Sequence, residues 1–288
     1  QLHQLIREFF GTKQTALASA DKQKDNFCQA LLTVAQSIPN QPTLELIKSV
    51  KDAIPHLEEI AQNISDTVKD ENLICFFWGL NKFYDKQGLY AQAEPWLKQF
   101  VSLVQTRLGS DHLHVATSLN RLAKLYESQG RYGEAEPLYL QSLDLRQRLL
   151  GADHPDVADS LNNLALLYES QGRYGEAEPL YLQSLELYQR LLGEDHRSVA
   201  ISLNNLALLY ESQGRSSEAE PLFLQSLGLK QRLLGTEHPS IATSLNNLAL
   251  LYKSQGRYGE AETLYLQALD LKQRLLGTEH PSIATSLN

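Results

Sequence analysis

Residues 160–181 read SLNNLALLYESQGRYGEAEPLY, and close copies of this stretch recur along the chain. Two later copies occupy 202–223 and 244–265, an earlier copy occupies 118–139, and a more divergent one covers 76–96. A fixed period of this size is typical of a stacked array of short structural units, so the repeat is the unit that decides the fold. The period is 42 residues, marked by Gly88, Gly130, Gly172, Gly214 and Gly256.

The composition is ordinary for a folded protein, with 42% hydrophobic and 21% charged residues in a chain of 288. No apolar run approaches the ~18 residues that a membrane span requires, and no secretory signal pattern opens the chain. We therefore expect a cytoplasmic protein that does not contact membranes. The sequence has no methionine and stops at Asn288 in the middle of a motif copy, so we interpret it as a fragment. Cys28 and Cys75 are predicted to be buried free thiols.

The net charge of −8 is unevenly distributed. Residues 1–110 carry 11 Lys/Arg against 12 Asp/Glu, a net charge of −1, whereas residues 111–288 carry 15 against 22, a net charge of −7. An acidic array without a basic face is a poor match for a phosphate backbone. The charge pattern therefore argues against nucleic acid as a partner.

Each repeat predicts two helices, here called helix A and helix B. In the repeat at 153–194, Pro155 suits the first turn of helix A, and Gly172 suits the left-handed turn after it. Helix B is expected to start near Tyr174, to continue across Pro179 with the loss of one hydrogen bond, and to end at Gly193. Apolar residues recur at helical spacing in both segments.

The N-terminal part departs from this pattern. Residues 1–24 are predicted to form a linker helix with one apolar face, and residues 25–69 a divergent helical pair that caps the array. In that pair the first helix covers 25–38, the second begins after Thr43, and Pro55 is expected to kink or divide it. The regular array covers 70–288, with repeats at 70–110, 111–152, 153–194, 195–236 and 237–278 and the start of a sixth.

The repeat resembles the tetratricopeptide repeat (TPR), and its L-N-N-L-A-x-L-Y…Q-G-x-Y-x-E-A-E-P-L-Y…L-G-x-x-H-P form is similar to the kinesin-light-chain type. The resemblance implies an all-α, right-handed superhelical solenoid of helix-turn-helix repeats, with the A helices lining a concave groove. The divergent pair at 25–69 is then TPR-like. The TPR signature positions fall on Leu161, Leu164, Ala165, Tyr168, Gly172, Tyr174, Ala177 and Ser184.

A second resemblance concerns Leu2–Phe10, which looks like the last helix of the winged-helix segment in bacterial STAND (NB-ARC-type) ATPases. It implies that the array is the C-terminal sensor region of such an ATPase, with a nucleotide-binding domain upstream. No G-x-x-x-x-G-K-[ST] loop occurs in these residues, so this chain cannot itself be the nucleotide switch.

Asparagine dominates two groove-facing positions of helix A. A carboxamide both donates and accepts hydrogen bonds, which suits the main chain of an extended peptide. The alternative is that these amides bond between neighbouring helices and hold the stack together. The asparagines are Asn120, Asn162, Asn204 and Asn246 at position five, with Asn288 in the sixth copy, and Asn163, Asn205 and Asn247 at position six.

Groove positions that differ between repeats are candidates for specificity. Lys82, Lys86, Arg121 and Lys124 are expected to converge where the first two regular repeats meet. Such a cluster could bind a carboxylate or an acidic side chain through charge-assisted hydrogen bonds. The alternative is a set of solvated charges paired with Asp85 and Glu127. Further along, Leu166 and Leu208 make the groove apolar, with Glu169 and Glu211 beside them.

Five histidines recur at the 42-residue period, at 112, 154, 196, 238 and 280, but each connector offers a single imidazole. Because a metal site needs several converging ligands, we expect no metal and interpret these histidines as a cap or hinge before helix A. No constellation of nucleophile and base stands out, so we expect neither catalysis nor a cofactor.

The sequence thus predicts a non-catalytic scaffold that binds a protein or peptide segment as the sensor arm of a larger signalling ATPase. The cation cluster favours an acidic segment. The alternative is a structural self-assembly or cargo-adaptor module of the kinesin-light-chain type, with oligomers formed through the ends of the array.

Overall fold

The computed structural model describes residues 28–38, 44–59, 61, 70–85 and 87–276. These residues are almost entirely helical, and no strand occurs among them. The predicted linker helix at 1–24, Lys86 and the start of the sixth repeat after residue 276 lie outside the described residues. The chain divides after Leu138 into two compact units.

The helices follow the predicted order of A and B segments. In chain order they are α1 (28–37), α2 (Leu44–Val50), α3 (Ile54–Glu59), α4 (Asp70–Asp85), α5 (Tyr90–Leu108), α6 (Leu113–Ser128), α7 (Tyr132–Leu150), α8 (Pro155–Ser170), α9 (Tyr174–Leu192), α10 (Arg197–Ser212), α11 (Ser216–Leu234), α12 (Pro239–Ser254) and α13 (Tyr258–Leu276). From α4 onwards, even-numbered helices are A helices and odd-numbered helices are B helices.

Prolines act in these helices as their positions predict. A short 3-10 turn, Lys51–Ala53, separates α2 from α3, which places Pro55 in the first turn of α3. A proline there needs no hydrogen bond to its nitrogen, so Pro55 divides the helix as expected. Pro155 begins α8, and α9 continues across Pro179 to Gly193, whose φ of +83° ends it in a conformation that favours glycine.

In the N-terminal unit, α1 packs closely against α4. A Cβ atom added to Gly79 would lie 2.9 Å from the Cβ of Ala35, so only glycine permits this approach of the two backbones. On α4, Phe77 stacks on Phe100 of α5 with ring centroids 5.1 Å apart. Val50, Ile54 and Leu57 of the divergent pair are also buried.

In the C-terminal unit, small and large apolar residues alternate between A and B helices. Ala165 of α8 and Ala177 of α9 are both fully buried, which lets the two helices approach, and Tyr181 fills the core beside them. Leu227, Ile241, Leu245 and Leu271 form part of the next core cluster, with helices of consecutive repeats contributing to it. The core thus continues from one repeat to the next, as expected for stacked repeats.

Four of the five connector histidines lie in the part of the chain that the structure describes, and these four are helix N-caps. His196 precedes α10 with an extended backbone, and its Nδ1 accepts a hydrogen bond from the Ser198 backbone N–H at 3.1 Å. His112, His154 and His238 do the same for α6, α8 and α12. An N-cap acceptor satisfies one of the backbone N–H groups that the first turn leaves unpaired. This confirms the interpretation of these residues as caps.

Replacing His196 with alanine should therefore destabilise the start of α10 by about 1 kcal/mol, because one cap hydrogen bond is lost. His196→Asn should retain most of the stability, since asparagine is itself a good N-cap acceptor. Hydrogen exchange at the amides of residues 197–200 measures the difference. Equal exchange rates in the two variants would show that the imidazole does not act as a cap.

Candidate peptide-binding site

The asparagines of the C-terminal unit form hydrogen-bonded pairs between consecutive A helices. Asn205 Nδ2 donates to Asn162 Oδ1 at 3.0 Å, and Asn247 Nδ2 donates to Asn204 Oδ1 at 3.1 Å. Position six of one repeat therefore donates to position five of the preceding repeat. These pairs brace the stack, as the second of the two interpretations predicts.

The asparagine pairs do not use every polar atom of the row. Each amide in a pair retains further donor or acceptor capacity, because a carboxamide has two donors and two lone pairs. The buried Asn246 Oδ1 has no hydrogen-bond partner among the described residues. Asn120 and Asn163 are also partly buried. Binding of a ligand by this row stays a prediction.

The equivalent pair in the N-terminal unit is different. Trp78 occupies position five of α4 and Arg121 position six of α6, so they stand where paired asparagines stand elsewhere. The Arg121 guanidinium carbon lies 3.6 Å from the centroid of the Trp78 ring, which is a close cation–π contact. The change replaces a neutral amide pair with a positive charge held flat on an indole.

Trp78 and Arg121 border a pocket of about 220 Å³. Three of the four cations predicted from the sequence line it together, with Lys82 on α4 and Arg121 and Lys124 on α6. The fourth, Lys86, is not among the described residues. The full lining is Trp78, Asn81, Lys82, Asp85, Arg121, Lys124 and Leu125.

The three cations differ in their surroundings. Lys82 is partly buried, and its Nζ donates a hydrogen bond of 2.8 Å to the backbone carbonyl of Ile38. Its Nζ also lies 5.2 Å from the centroid of Trp78. Burial, and next the charge of Arg121, lower the pKa of Lys82 below its usual value. Lys124, by contrast, is exposed at the rim of the pocket.

Sequence reasoning missed Asn81 and Leu125 as lining residues and treated Asp85 only as a counter-charge. Asn81 is 9% exposed and stands at position eight, where the later repeats have alanine. A polar residue at a position that otherwise needs a small apolar one was the available signal. With Asp85 present, the pocket offers one carboxylate and several cationic and amide donors.

The predicted apolar stretch of the groove lies in the C-terminal unit. Leu166 and Leu208 are both partly buried at position nine of α8 and α10. The hydroxyl of Tyr181 donates to Glu169 Oε2 at 2.6 Å. Burial of the Glu169 carboxyl raises its pKa although this hydrogen bond opposes the shift, and the charge of Glu211 adds to the increase.

The part of the chain that the structure describes contains no group of three or more His, Cys, Asp or Glu side chains arranged to hold a metal ion. Within the same ranges, no helix combines the length and apolar character needed to cross a bilayer.

The sequence matches family models of the tetratricopeptide repeat at residues 82–147, 119–190, 156–232 and 241–282. The chain therefore belongs to the tetratricopeptide repeat family. No curated protein sequence matches it at a significant level.

Several solved structures similar to this chain are at least 25% identical to it. BtubC (BKLC) from P. vanneervenii has a TM-score of 0.65 and 25% identity over 83% of this chain and 95% of that one. A kinesin light chain with nearly identical TPR-like repeats from Podospora anserina has a TM-score of 0.60 and 28% identity, over 72% and 98%. These matches confirm the predicted all-α solenoid of TPR repeats and its kinesin-light-chain-like form.

A third structure shares the fold at much lower identity. The apo form of the quorum sensor NprR from B. thuringiensis has a TM-score of 0.63 and 14% identity, over 99% of this chain and 78% of that one. At this identity the likeness concerns the fold alone.

Proposed function

We propose that this protein is a non-catalytic scaffold that binds a protein or peptide segment through an acidic group placed in the Trp78–Arg121 pocket. The supporting observation is that Lys82, Arg121 and Lys124, from two consecutive repeats, line one cavity. A TPR scaffold is suited to protein binding, and the pocket lies where its A helices differ most from the repeated pattern.

The chemistry of the pocket favours a carboxylate. A guanidinium can present two parallel N–H donors to a carboxylate, and charge-assisted hydrogen bonds are roughly twice as strong as neutral ones. The ring of Trp78 holds Arg121 in one orientation, so less side-chain freedom is lost when a ligand binds. Asp85 adds one acceptor, which suits a ligand that also carries an N–H donor near its acidic group.

A second contact surface in the C-terminal unit extends this proposal. Leu166 and Leu208 present apolar area beside half-buried amides, which suits the less polar part of a peptide. The amides of this unit that we propose to contact a peptide main chain are Asn162, Asn163, Asn204, Asn205, Asn246 and Asn247. In the N-terminal unit, the equivalent amide is that of Asn120.

A hexaglutamate peptide provides a direct test of the pocket. The chain contains two tryptophans, so Trp96→Phe leaves Trp78 as a fluorescent reporter inside the pocket. Binding should change this fluorescence and should weaken as salt is added, because the attraction is electrostatic. Arg121→Ala combined with Lys124→Ala should reduce the affinity about tenfold or more, as expected when charge-assisted hydrogen bonds are lost.

The matched control removes two arginines from the opposite type of helix. Arg190 and Arg232 lie on B helices and form ion pairs with Asp153 and Asp195, which lie in the connectors. Arg190→Ala with Arg232→Ala changes the net charge equally and should leave the affinity unchanged. If both double variants weaken binding to the same extent, the attraction comes from net charge and the pocket is not the site.

The resemblance of Leu2–Phe10 to a STAND segment supports a further proposal, that the array is the sensor arm of a signalling ATPase. The sequence upstream of Gln1 in the natural protein tests it. A G-x-x-x-x-G-K-[ST] loop between a strand and a helix there would support the proposal, and a different upstream domain would refute it.

The similarity to a kinesin light chain favours one alternative, a cargo-adaptor or self-assembling module. In a self-assembling module, light scattering on a chain with additional repeats should show oligomers at micromolar concentration. A monomer that still binds the acidic peptide would exclude self-assembly as the main role.

A further inference from the structure

We propose that Lys82 couples the pocket to helix α1, so that an anion bound in the pocket draws the Lys82 ammonium away from Ile38 and loosens the last turn of α1. The inference rests on the proposed function, since it concerns the regulation of the same site. Binding of an anion in the pocket would then change the structure on the N-terminal side of the array.

Lys82 reaches both the end of α1 and the pocket. Its Nζ donates to the Ile38 carbonyl at 2.8 Å, and the same side chain lines the pocket beside Arg121. Ile38 directly follows α1, which ends at residue 37. Carbonyl groups at the end of a helix have no partner within the helix, and a cation there is favourable. Lys82 therefore acts as a C-terminal cap supplied by another helix.

A bound carboxylate would compete directly for this ammonium. A hydrogen bond from lysine to a carboxylate is stronger than one to a neutral carbonyl, because both partners are charged. Lys82 and Arg121 line the same pocket with like charges and therefore repel each other. Burial first, and this repulsion second, lower the pKa of Lys82. An anion between them would remove that repulsion, which favours moving Lys82 towards the ligand.

The contact between Gly79 and Ala35 limits how far this change can spread. The last turn of α1 is held to α4 by the close packing at Ala35, by a hydrogen bond of 3.7 Å from Gln36 Nε2 to Cys75 Sγ, and by the hydrogen bond at Ile38. Releasing Lys82 removes only the hydrogen bond at Ile38. The expected response is fraying of residues 35–38, with the rest of α1 still packed on α4.

Hydrogen exchange in the wild-type chain tests the coupling, with saturating hexaglutamate as the probe. Exchange of the amides at 35–38 should become roughly fivefold faster on binding, the factor that corresponds to one ordinary hydrogen bond. Amides of α12, in the other unit, serve as the internal reference and should not change. In Lys82→Met, the amides at 35–38 should exchange at the faster rate with and without the peptide.

Lys124→Met is the matched control, because Lys124 lines the same pocket from its exposed rim. This variant should bind more weakly, exchange slowly at 35–38 without peptide, and reach the wild-type increase once saturated. If wild-type protein binds hexaglutamate without faster exchange at 35–38, the coupling is wrong and the proposed function stands. If hexaglutamate does not bind at any concentration tested, both the coupling and the proposed function are wrong.

Discussion

Replacing Tyr181 with alanine is expected to lower the free energy of unfolding of the C-terminal unit by about 3–5 kcal/mol. Tyr181 is a fully buried aromatic side chain between α8 and α9, and a cavity would remain because the surrounding helices relax only partly. The change also removes the hydroxyl that donates to Glu169 at 2.6 Å. A partly buried carboxyl would then lose a hydrogen-bond donor, which adds to the cost.

The chain itself supplies the control for this prediction. Phe223 occupies the same position in the next repeat and is equally buried, so the site accepts a ring without a hydroxyl. Tyr181→Phe should therefore cost only about 1 kcal/mol, the value of one hydrogen bond. It should also raise the pKa of Glu169 further, because the hydrogen bond from Tyr181 lowers that pKa at present.

Urea unfolding monitored by hydrogen exchange at α8 and α9 measures both variants. Local exchange is needed because repeat arrays unfold as coupled neighbours and a single global transition can hide a local loss. If Tyr181→Ala and Tyr181→Phe lose the same stability, the hydroxyl contributes the main effect and the packing argument is wrong.

Much of the architecture could be predicted from the sequence because each repeat carries its own helix signals. Pro155 and Gly193 fix the start and the end of helices by backbone geometry that does not depend on neighbours, and α9 continues across Pro179 although a proline there removes one hydrogen bond. The cations of the pocket were also predictable, since Lys82 and Arg121 fall on known groove positions of adjacent A helices.

Contacts that depend on where two helices meet could not be predicted in the same way. The hydrogen bond from Lys82 to Ile38 requires the packing of α1 on α4, and α1 lies in the divergent part of the chain. Whether the asparagines can bond to one another depends on how consecutive A helices are offset. The structure pairs residues 43 positions apart, Asn162 with Asn205, and binding of a ligand by the row is not tested by this pairing.

Residues 146, 188 and 230 occupy equivalent positions in consecutive repeats, and each makes different contacts. Arg146 donates to the Ser160 hydroxyl at 2.8 Å and to the Asp156 carbonyl at 2.9 Å. One repeat later the position holds Tyr188, whose hydroxyl donates to Asp159. The buried Ser202 hydroxyl, equivalent to that of Ser160, then has no hydrogen-bond partner in the described part of the chain.

The next residue in this series is Lys230, a partly buried amine that donates to the Ser244 hydroxyl at 2.8 Å. Its repeat has Ile201 where the preceding repeat has Asp159, so the carboxylate that Tyr188 contacts has no equivalent there. Burial lowers the pKa of Lys230 to about 8. The folded protein thus binds the Lys230 proton less tightly than the unfolded chain does.

This shift predicts a stability that rises with pH. Below about pH 8, Lys230 is protonated in both states, and the cost of burying its charge is fully present. Between about pH 8 and the unfolded pKa near 10.4, the unfolded chain binds the proton and the folded chain does not, so the cost disappears. Lys230→Met should therefore be more stable than wild type by about 1–2 kcal/mol at pH 7, after allowance for solvent screening.

Urea unfolding at a series of pH values from 7 to 10.5 tests this prediction through the difference between wild type and variant. The difference should shrink towards zero as the pH rises, because wild-type Lys230 loses its proton. Lys230→Arg is the control, since a guanidinium stays charged across this range and should show no such convergence with Lys230→Met. A constant difference between wild type and Lys230→Met at every pH would mean that Lys230 remains protonated in the fold, and that Ser244 and the surrounding solvent are sufficient to accommodate the charge.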